Sequence, residues 1–234
     1  MREATVTDVT TLTPDVTQFR LVDDEPFEYD PGQHTAVHVP ADEHENDDEV
    51  VRPYTATSRP GTESITLAIR RYDDGTASTY MHDREEGDGV TVEDVDGNLY
   101  LRDLDADVLF AASGTGLTPL FPMLRQYARD GSGHAHLLYG EKTEEDLIYR
   151  AALDRLAAEH DDVSVTYVLS REDWDRPTGH VQEHLDAVDA LEERDCYVCG
   201  VPEMVTDTTD RLTAHGVDDD RVYTEGWEAD AVDD

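Results

Sequence analysis

Along residues 2–100, apolar side chains recur in short runs of alternating character, each bounded by turn residues. Arg2–Thr11, Thr17–Val22, Gln33–Val39, Val50–Thr57 and Ser64–Arg70 are rich in Val, Thr, Ile and Tyr, which suit a pleated, half-buried strand. Pro14-Asp15, Asp30-Pro31-Gly32, the acidic stretch Ala41–Glu49 and Arg59-Pro60-Gly61 supply the turns between them. Five or six short strands at this spacing predict a sandwich or a barrel. One short helix is expected to interrupt them, starting near Gly75-Thr76 and running through Met81.

From Asp107 the rhythm changes. Val108–Ala112 is a continuous apolar run, followed by Gly114-Thr115-Gly116 and a stretch placing Leu120, Met123, Leu124 and Tyr127 on one helical face. Gly131 is expected to end that helix from the C′ position. His134–Tyr139 reads as the next strand, and Thr143 with Asp146 three residues on predicts a helix with a near capping box. Val163–Leu169, Gly179–Val188, Cys196–Cys199, Pro202–His215 and Arg221–Thr224 continue the alternation. Five strands alternating with helices predict a doubly wound parallel α/β sheet. The change of rhythm sets a boundary near Arg102–Asp107, giving units 1–104 and 105–227 and a mostly acidic, frayed tail at 228–234.

Charge changes the picture next. Among 234 residues, 56 acids against 18 bases leave a net charge of −38, and of those bases only Lys142 is a lysine. Nucleic acid and anionic membrane carry the same sign, which argues against them as partners. No apolar run reaches membrane-spanning length and residues 1–20 carry no signal pattern, so a cytoplasmic protein is expected. Disorder is opposed by the periodic segments and by eleven Tyr and two Trp. Acids spread along the whole chain, with lysine nearly absent and arginine kept, fit adaptation to molar salt, where the Debye length falls to about 3 Å.

Cys196 and Cys199 have CxxC spacing, but they fall in a short apolar run that reads as a buried strand. Three positions apart on a strand they would lie about 10 Å apart and point to opposite faces, too far for a disulfide. With no third cysteine, a thiolate cluster is excluded, and the histidines form no ligand pattern, so no metal is expected.

Five motifs could carry chemistry. Ser113-Gly114-Thr115-Gly116-Leu117-Thr118-Pro119 joins a strand to a helix, where free N–H groups can cradle a pyrophosphate; Pro119 replaces the third glycine of GxGxxG. Arg52-Pro53-Tyr54-Thr55 offers a guanidinium fork, an aromatic face and a hydroxyl. Gly75-Thr76-Ala77-Ser78 stands at a helix start. Cys199-Gly200 ends a parallel strand, where open α/β sheets hold ligands, and Glu225-Gly226-Trp227 follows the last strand.

In this order, across a β unit and an α/β unit, the five motifs resemble the ferredoxin–NADP⁺ reductase family, and the likeness runs from Pro31-Gly32-Gln33 to Trp227. The resemblance implies a six-stranded antiparallel Greek-key barrel that binds FAD and a five-stranded α/β domain that binds NADPH or NADH. It implies that Arg52 grips the flavin pyrophosphate, that Tyr54 beside Pro53 lies against the flavin, and that Thr55 hydrogen-bonds flavin N5. Ile69 and Arg70, with Gly75, Thr76, Ala77 and Ser78, would complete the FAD site. Gly114, Thr115, Gly116 and Pro119 would hold the dinucleotide pyrophosphate. Cys199 and Gly200 would lie beside the nicotinamide, Glu225 near that pocket, and Trp227 would stack on the flavin. Ser170-Arg171 would clasp a 2′-phosphate, although Glu172 and Asp173 beside them oppose one; NADPH is the expected donor. Thr55, Cys199 and Glu225 are the expected catalytic residues.

The implied activity is hydride transfer between NAD(P)H and flavin, with electrons passed to a separate acceptor, ferredoxin or flavodoxin or a small diffusible molecule. The alternatives are a reductase that treats flavin as substrate, and a flavoprotein subunit acting only inside a larger complex. A monomer is expected.

Overall fold

The computed structural model describes residues 1–44 and 50–226. Trp227, the tail 228–234 and residues 45–49 of the acidic stretch lie outside the described residues. The chain divides into two compact units, residues 1–100 and a second that begins at Leu101.

The first unit is a six-stranded antiparallel sheet in the order β4-β3-β6-β1-β2-β5. Its strands are β1 (Arg2–Thr11), β2 (Val16–Phe27), β3 (His34–Val39), β4 (Val50–Thr55), β5 (Thr62–Arg70) and β6 (Gly89–Val92). The residue pattern does not announce β6. Only four residues long, it carries too little alternation to read, yet it fills the place between β3 and β1. Inward-facing Ala4, Val6, Phe19, Leu21, Ile65, Leu67, Val90 and Val92 make one core. Each large side chain so buried contributes about 1.5–3 kcal/mol. The sheet curls on itself: an antiparallel bridge Ala56↔Leu67 and a Thr57 N–H to Thr66 carbonyl bond tie the exit of β4 to β5. Pro53 costs the ladder little because β4 is an outermost strand. Helix α1 (Thr76–His82) sits beside β3, β4 and β5 and buries Ala77, Tyr80 and Met81 in the same core.

The second unit is a five-stranded parallel sheet in the order β11-β10-β7-β8-β9, comprising β7 (Val108–Ser113), β8 (Ala135–Glu141), β9 (Val163–Leu169), β10 (Asp195–Gly200) and β11 (Val222–Gly226). Val108–Ala112 and all of β10 are buried, as central parallel strands between helices must be. Chain order reverses between β7 and β10, which places the switch point of the sheet there.

Three local expectations are corrected. Gly131 ends helix α2 (Leu117–Asp130) as its C-cap with extended backbone (φ −76°, ψ 157°), not as a left-handed C′ residue. A Cβ at this position would lie 2.7 Å from the Tyr127 carbonyl and 2.9 Å from its ring, so close approach is what requires the glycine. The Thr143–Asp146 capping box forms, but it caps a single 3-10 turn, Glu144–Asp146. Leu147 and Ile148 are drawn into the core, Tyr149 turns through φ 55° with its ring stacked on Phe121, and helix α3 (Arg150–Glu159) starts only then. The stretch 179–188 forms a 3-10 segment, Val181–Ala187, in place of an α-helix. Helix α4 is Pro202–Ala214.

Candidate functional site

In the first unit, β4 carries Arg52, Pro53, Tyr54 and Thr55 in antiparallel register with Val37, Ala36, Thr35 and His34. Arg52 is half-buried and donates to the carbonyl of Val51. Tyr54 is partly buried against the core, and burial pushes its phenol well above the usual range. Thr55 is 3% exposed, and its Oγ1 has no hydrogen-bond partner among the described residues. A buried hydroxyl with nothing to bond costs about 1–3 kcal/mol.

Gly75 caps α1, and the Ser78 hydroxyl bridges the turn before it, accepting from Tyr72 N–H (3.2 Å) and donating to the Gly75 carbonyl (3.1 Å). Thr76 and Ala77 open the helix. Ile69 is buried and its carbonyl bonds His82, while Arg70 is held 3.0 Å from Asp15. The loop also presents Tyr72, 46% exposed, which the sequence pattern does not single out. Nothing in its spacing separates it from the strand residues before it.

In the second unit all five strands are parallel, so their carboxyl ends share one edge, with Ser113, Glu141, Leu169, Gly200 and Gly226 as the last residues. Gly114–Gly116 make one 3-10 turn leading into α2, and Thr118 locks it by donating to the Thr115 carbonyl at 2.8 Å. A Cβ on Gly116 would strike the Cys199 carbonyl oxygen and sit 2.6 Å from Gly200 Cα. This backbone contact brings the glycine turn and the Cys199-Gly200 corner together across the switch point. Pro119 occupies the first turn of α2, where an N–H would have no intrahelical acceptor.

Cys199 pairs in register with Glu225 on β11. Burial first, then the Glu225 carboxylate, hold its thiol far above the usual range, so it stays protonated at neutral pH. Cys196 faces the opposite core; both cysteines are free, and burial pushes the Cys196 thiol up to about 12. Ser170 and Arg171 follow β9 and are exposed. Ser170 N–H and Oγ both reach the Glu141 carbonyl, and Arg171 N–H reaches that of Lys142. The Glu172 carboxylate accepts the Glu144 N–H at 2.8 Å. Trp227 lies outside the described residues. Glu141, a carboxylate only 7% exposed, was not singled out from sequence, and Ser113 entered only as the first residue of the glycine motif, with no role for its buried hydroxyl. Both follow apolar strand residues, and only the sheet's packing distinguishes them.

A curled antiparallel sheet followed by a doubly wound parallel sheet, with a glycine turn at the switch point, is the build of a two-domain nucleotide-binding oxidoreductase. Residues 3–100 match the oxidoreductase FAD-binding domain family and residues 110–210 the oxidoreductase NAD-binding domain family. The chain is 33% identical to ferredoxin–NADP reductase B of Sorangium cellulosum, over 87% of this chain and 88% of that protein. It is 30% identical to the ferredoxin reductase component of 3-ketosteroid-9-alpha-monooxygenase of Mycolicibacterium smegmatis over 84% of its length, but spans only 55% of that relative. A similar share, 57%, holds for the anthranilate 1,2-dioxygenase electron transfer component of Acinetobacter baylyi. Its fold matches the FAD/NAD-binding domain of nitric oxide dioxygenase from Vibrio cholerae with a TM-score of 0.89 at 22% identity, over 97% and 98% of the two chains. The chain belongs to the ferredoxin–NADP reductase-like family of FAD- and NAD-binding oxidoreductases.

Proposed function

We propose that the chain is an FAD-dependent NAD(P)H oxidoreductase that delivers electrons to a separate acceptor, with ferredoxin or flavodoxin the first choice. The observation that carries this reading is the buried Thr55 Oγ1, which has no partner among the described residues and stands at the end of the strand bearing Arg52 and Tyr54. A flavin, when bound, would supply the redox chemistry between the nicotinamide dinucleotide and the acceptor. This chain's residues bind, orient and shield. Arg52 offers its fork to the flavin pyrophosphate, Tyr54 its partly buried ring to the flavin face, and Thr55 its hydroxyl to N5. The start of α1 at Gly75–Ser78 is assigned to the same pyrophosphate, with Ile69 and Arg70 lining that site and Trp227 stacking on the flavin. Gly114, Thr115, Gly116 and Pro119 receive the dinucleotide diphosphate at the start of α2. Cys199 and Gly200 are assigned to the nicotinamide pocket, and Glu225 to the same pocket. The protonated Cys199 thiol acts by shape and not as a nucleophile.

NADPH is the proposed donor. Of the two acids that would oppose a 2′-phosphate beside Ser170-Arg171, Glu172 has its carboxylate bonded to Glu144 N–H. The spread of 56 acids with a single lysine supports work in molar salt, and the absence of any described helix long and apolar enough to cross a membrane accords with work in the cytoplasm. The domains are assigned as 1–104 and 105–227 with the acidic tail 228–234, and the working unit as a monomer.

Anaerobic titration of the purified protein in molar KCl, followed by flavin absorbance, tests this. Bleaching by near-stoichiometric NADPH, and much less by NADH, is expected. Flavin that neither nucleotide bleaches would favour a second reading, a component acting only within a larger system. The relatives named as components of oxygenase systems give that reading its footing. Protein purified without flavin, and reducing added flavin, would indicate flavin as substrate.

A further inference from the structure

Helix α1 reaches back to both ends of the loop that precedes it. Ser78 and His82 are four residues apart and share one face of the helix. Ser78 holds the far end of the loop, through the Tyr72 N–H and the Gly75 carbonyl. His82 holds the near end, with its Nε2 lying 2.9 Å from the Ile69 carbonyl. A carbonyl only accepts, so Nε2 carries the proton and donates. The imidazole is fixed as well, lying at 72° to the Phe19 ring with centroids 5.8 Å apart. Asp15 adds a second hold on the start of the loop: its carbonyl accepts the Arg71 N–H at 2.8 Å, and its carboxylate meets Arg70. Between the two ends Arg71, Tyr72, Asp73 and Asp74 are all exposed. Exposed residues gain no order from burial, so the path of this loop is set where its ends are tied.

We infer that His82 is a positioning residue for FAD: its hydrogen bond to the Ile69 carbonyl fixes the start of the 70–75 loop, and through the loop it sets the affinity for the cofactor. This rests on the reading of Ile69, Arg70 and Gly75–Ser78 as part of the FAD site. Ser78 and His82 make the helix a clamp, because a shift at either tie moves Arg70 relative to Gly75. A ligand that meets both must then spend binding free energy on restoring their spacing. His82 itself acts only through the loop, and Arg52, Tyr54 and Thr55 belong to β4.

The test is equilibrium titration of the flavin-free protein with FAD in molar KCl, comparing wild type with His82→Phe and His82→Gln. Phenylalanine keeps a ring against Phe19 and removes the donor, whereas glutamine places an amide N–H near the position of Nε2. His82→Phe should raise the FAD Kd about three- to tenfold, and His82→Gln should stay within about twofold of wild type. At saturating FAD both variants should show the wild-type flavin absorption spectrum, since the groups assigned to the flavin ring are untouched. His82→Leu, which removes donor and ring in a smaller volume, is read in the same way should the phenylalanine variant not fold. An unchanged Kd on loss of the donor would overturn the inference. Equal weakening by glutamine would assign the effect to the packing of the imidazole, and a shifted spectrum would place it at the flavin ring; either result overturns the clamp. Wild-type protein that takes up no FAD overturns the reading of the FAD site as well, and the wild-type titration alone distinguishes that case.

Discussion

At Thr55 and at Cys199 burial does opposite things. Around Thr55 it leaves a hydroxyl without a hydrogen-bond partner among the described residues; around Cys199 it suppresses a reactive group by keeping the thiol protonated. Thr55→Val removes the hydroxyl at nearly constant shape. It should leave Tm without flavin unchanged or raised and slow flavin reduction by about two- to tenfold, read by stopped-flow absorbance. A normal rate of reduction would remove Thr55 from the site. Cys199→Ala should retain FAD and slow hydride transfer, while in the native protein neither Cys196 nor Cys199 should react with a thiol reagent until denaturant is added. Rapid labelling of either would contradict their burial. Arg52→Ala should lose flavin while the parallel-sheet unit keeps its circular dichroism. Residue types were legible at these positions, since Arg52-Pro53-Tyr54-Thr55 and Cys199-Gly200 stand out in the chain. Which of their atoms lack partners was not, because that depends on everything packed around them.

Among the elements, strands read better than helices. β1, β3, β5 and β7–β10 follow from alternation or from continuous apolar runs, and both patterns are set by which faces a sheet buries. The capping box at Thr143 is legible in the chain, yet it starts no α-helix, because a local hydrogen-bond motif fixes one turn and leaves the residues after it undecided. Leu147 and Ile148 are claimed by the core before a helix can continue. The glycine turn is an element whose requirement comes from a neighbour. Gly116→Ala would drive a methyl into the backbone of Cys199 and Gly200, and neither carbonyl nor Cα can swing aside as a side chain can. The variant should lose several degrees of Tm in the second unit and bind dinucleotide at least tenfold more weakly, measured by calorimetry. A variant indistinguishable from wild type would mean that β10 does not approach the turn so closely.

For the whole molecule, the dominant property is its charge. With a net charge of −38, repulsion is strong in dilute buffer and shrinks as salt shortens the Debye length. Tm should rise steadily between about 0.1 and 2 M KCl, and activity with a protein acceptor should rise as well. A Tm that falls over that range would argue against salt adaptation. Acid acts through particular carboxylates. Asp107 at the foot of β7 accepts the His134 N–H at 2.7 Å and faces Arg194 at 4.0 Å, which together hold its carboxyl below its ordinary 3.8. A depressed pKa means that the unfolded chain binds the proton more readily. The stabilisation is therefore complete above 3.8 and is lost as pH falls through the folded value. Asp107→Asn should cost about 1 kcal/mol near pH 6, discounted for partial exposure, and progressively less below pH 3.8. A difference that does not shrink in acid would assign the effect to packing.

The amino-acid sequence by itself determined the two-unit order, the strand-then-alternating rhythm, the charge, and the motifs with the chemistry their side chains allow. These are properties of near neighbours: periodicity, turn residues and capping groups act within a few positions of the chain. Only the tertiary structure decided that β6 joins β3 to β1, that Gly116 must be bare because Cys199 backbone touches it, and that Thr55 and Ser113 keep buried hydroxyls without partners among the described residues. Those facts depend on segments tens of residues apart meeting at van der Waals distance, where a single methyl or hydroxyl decides what fits.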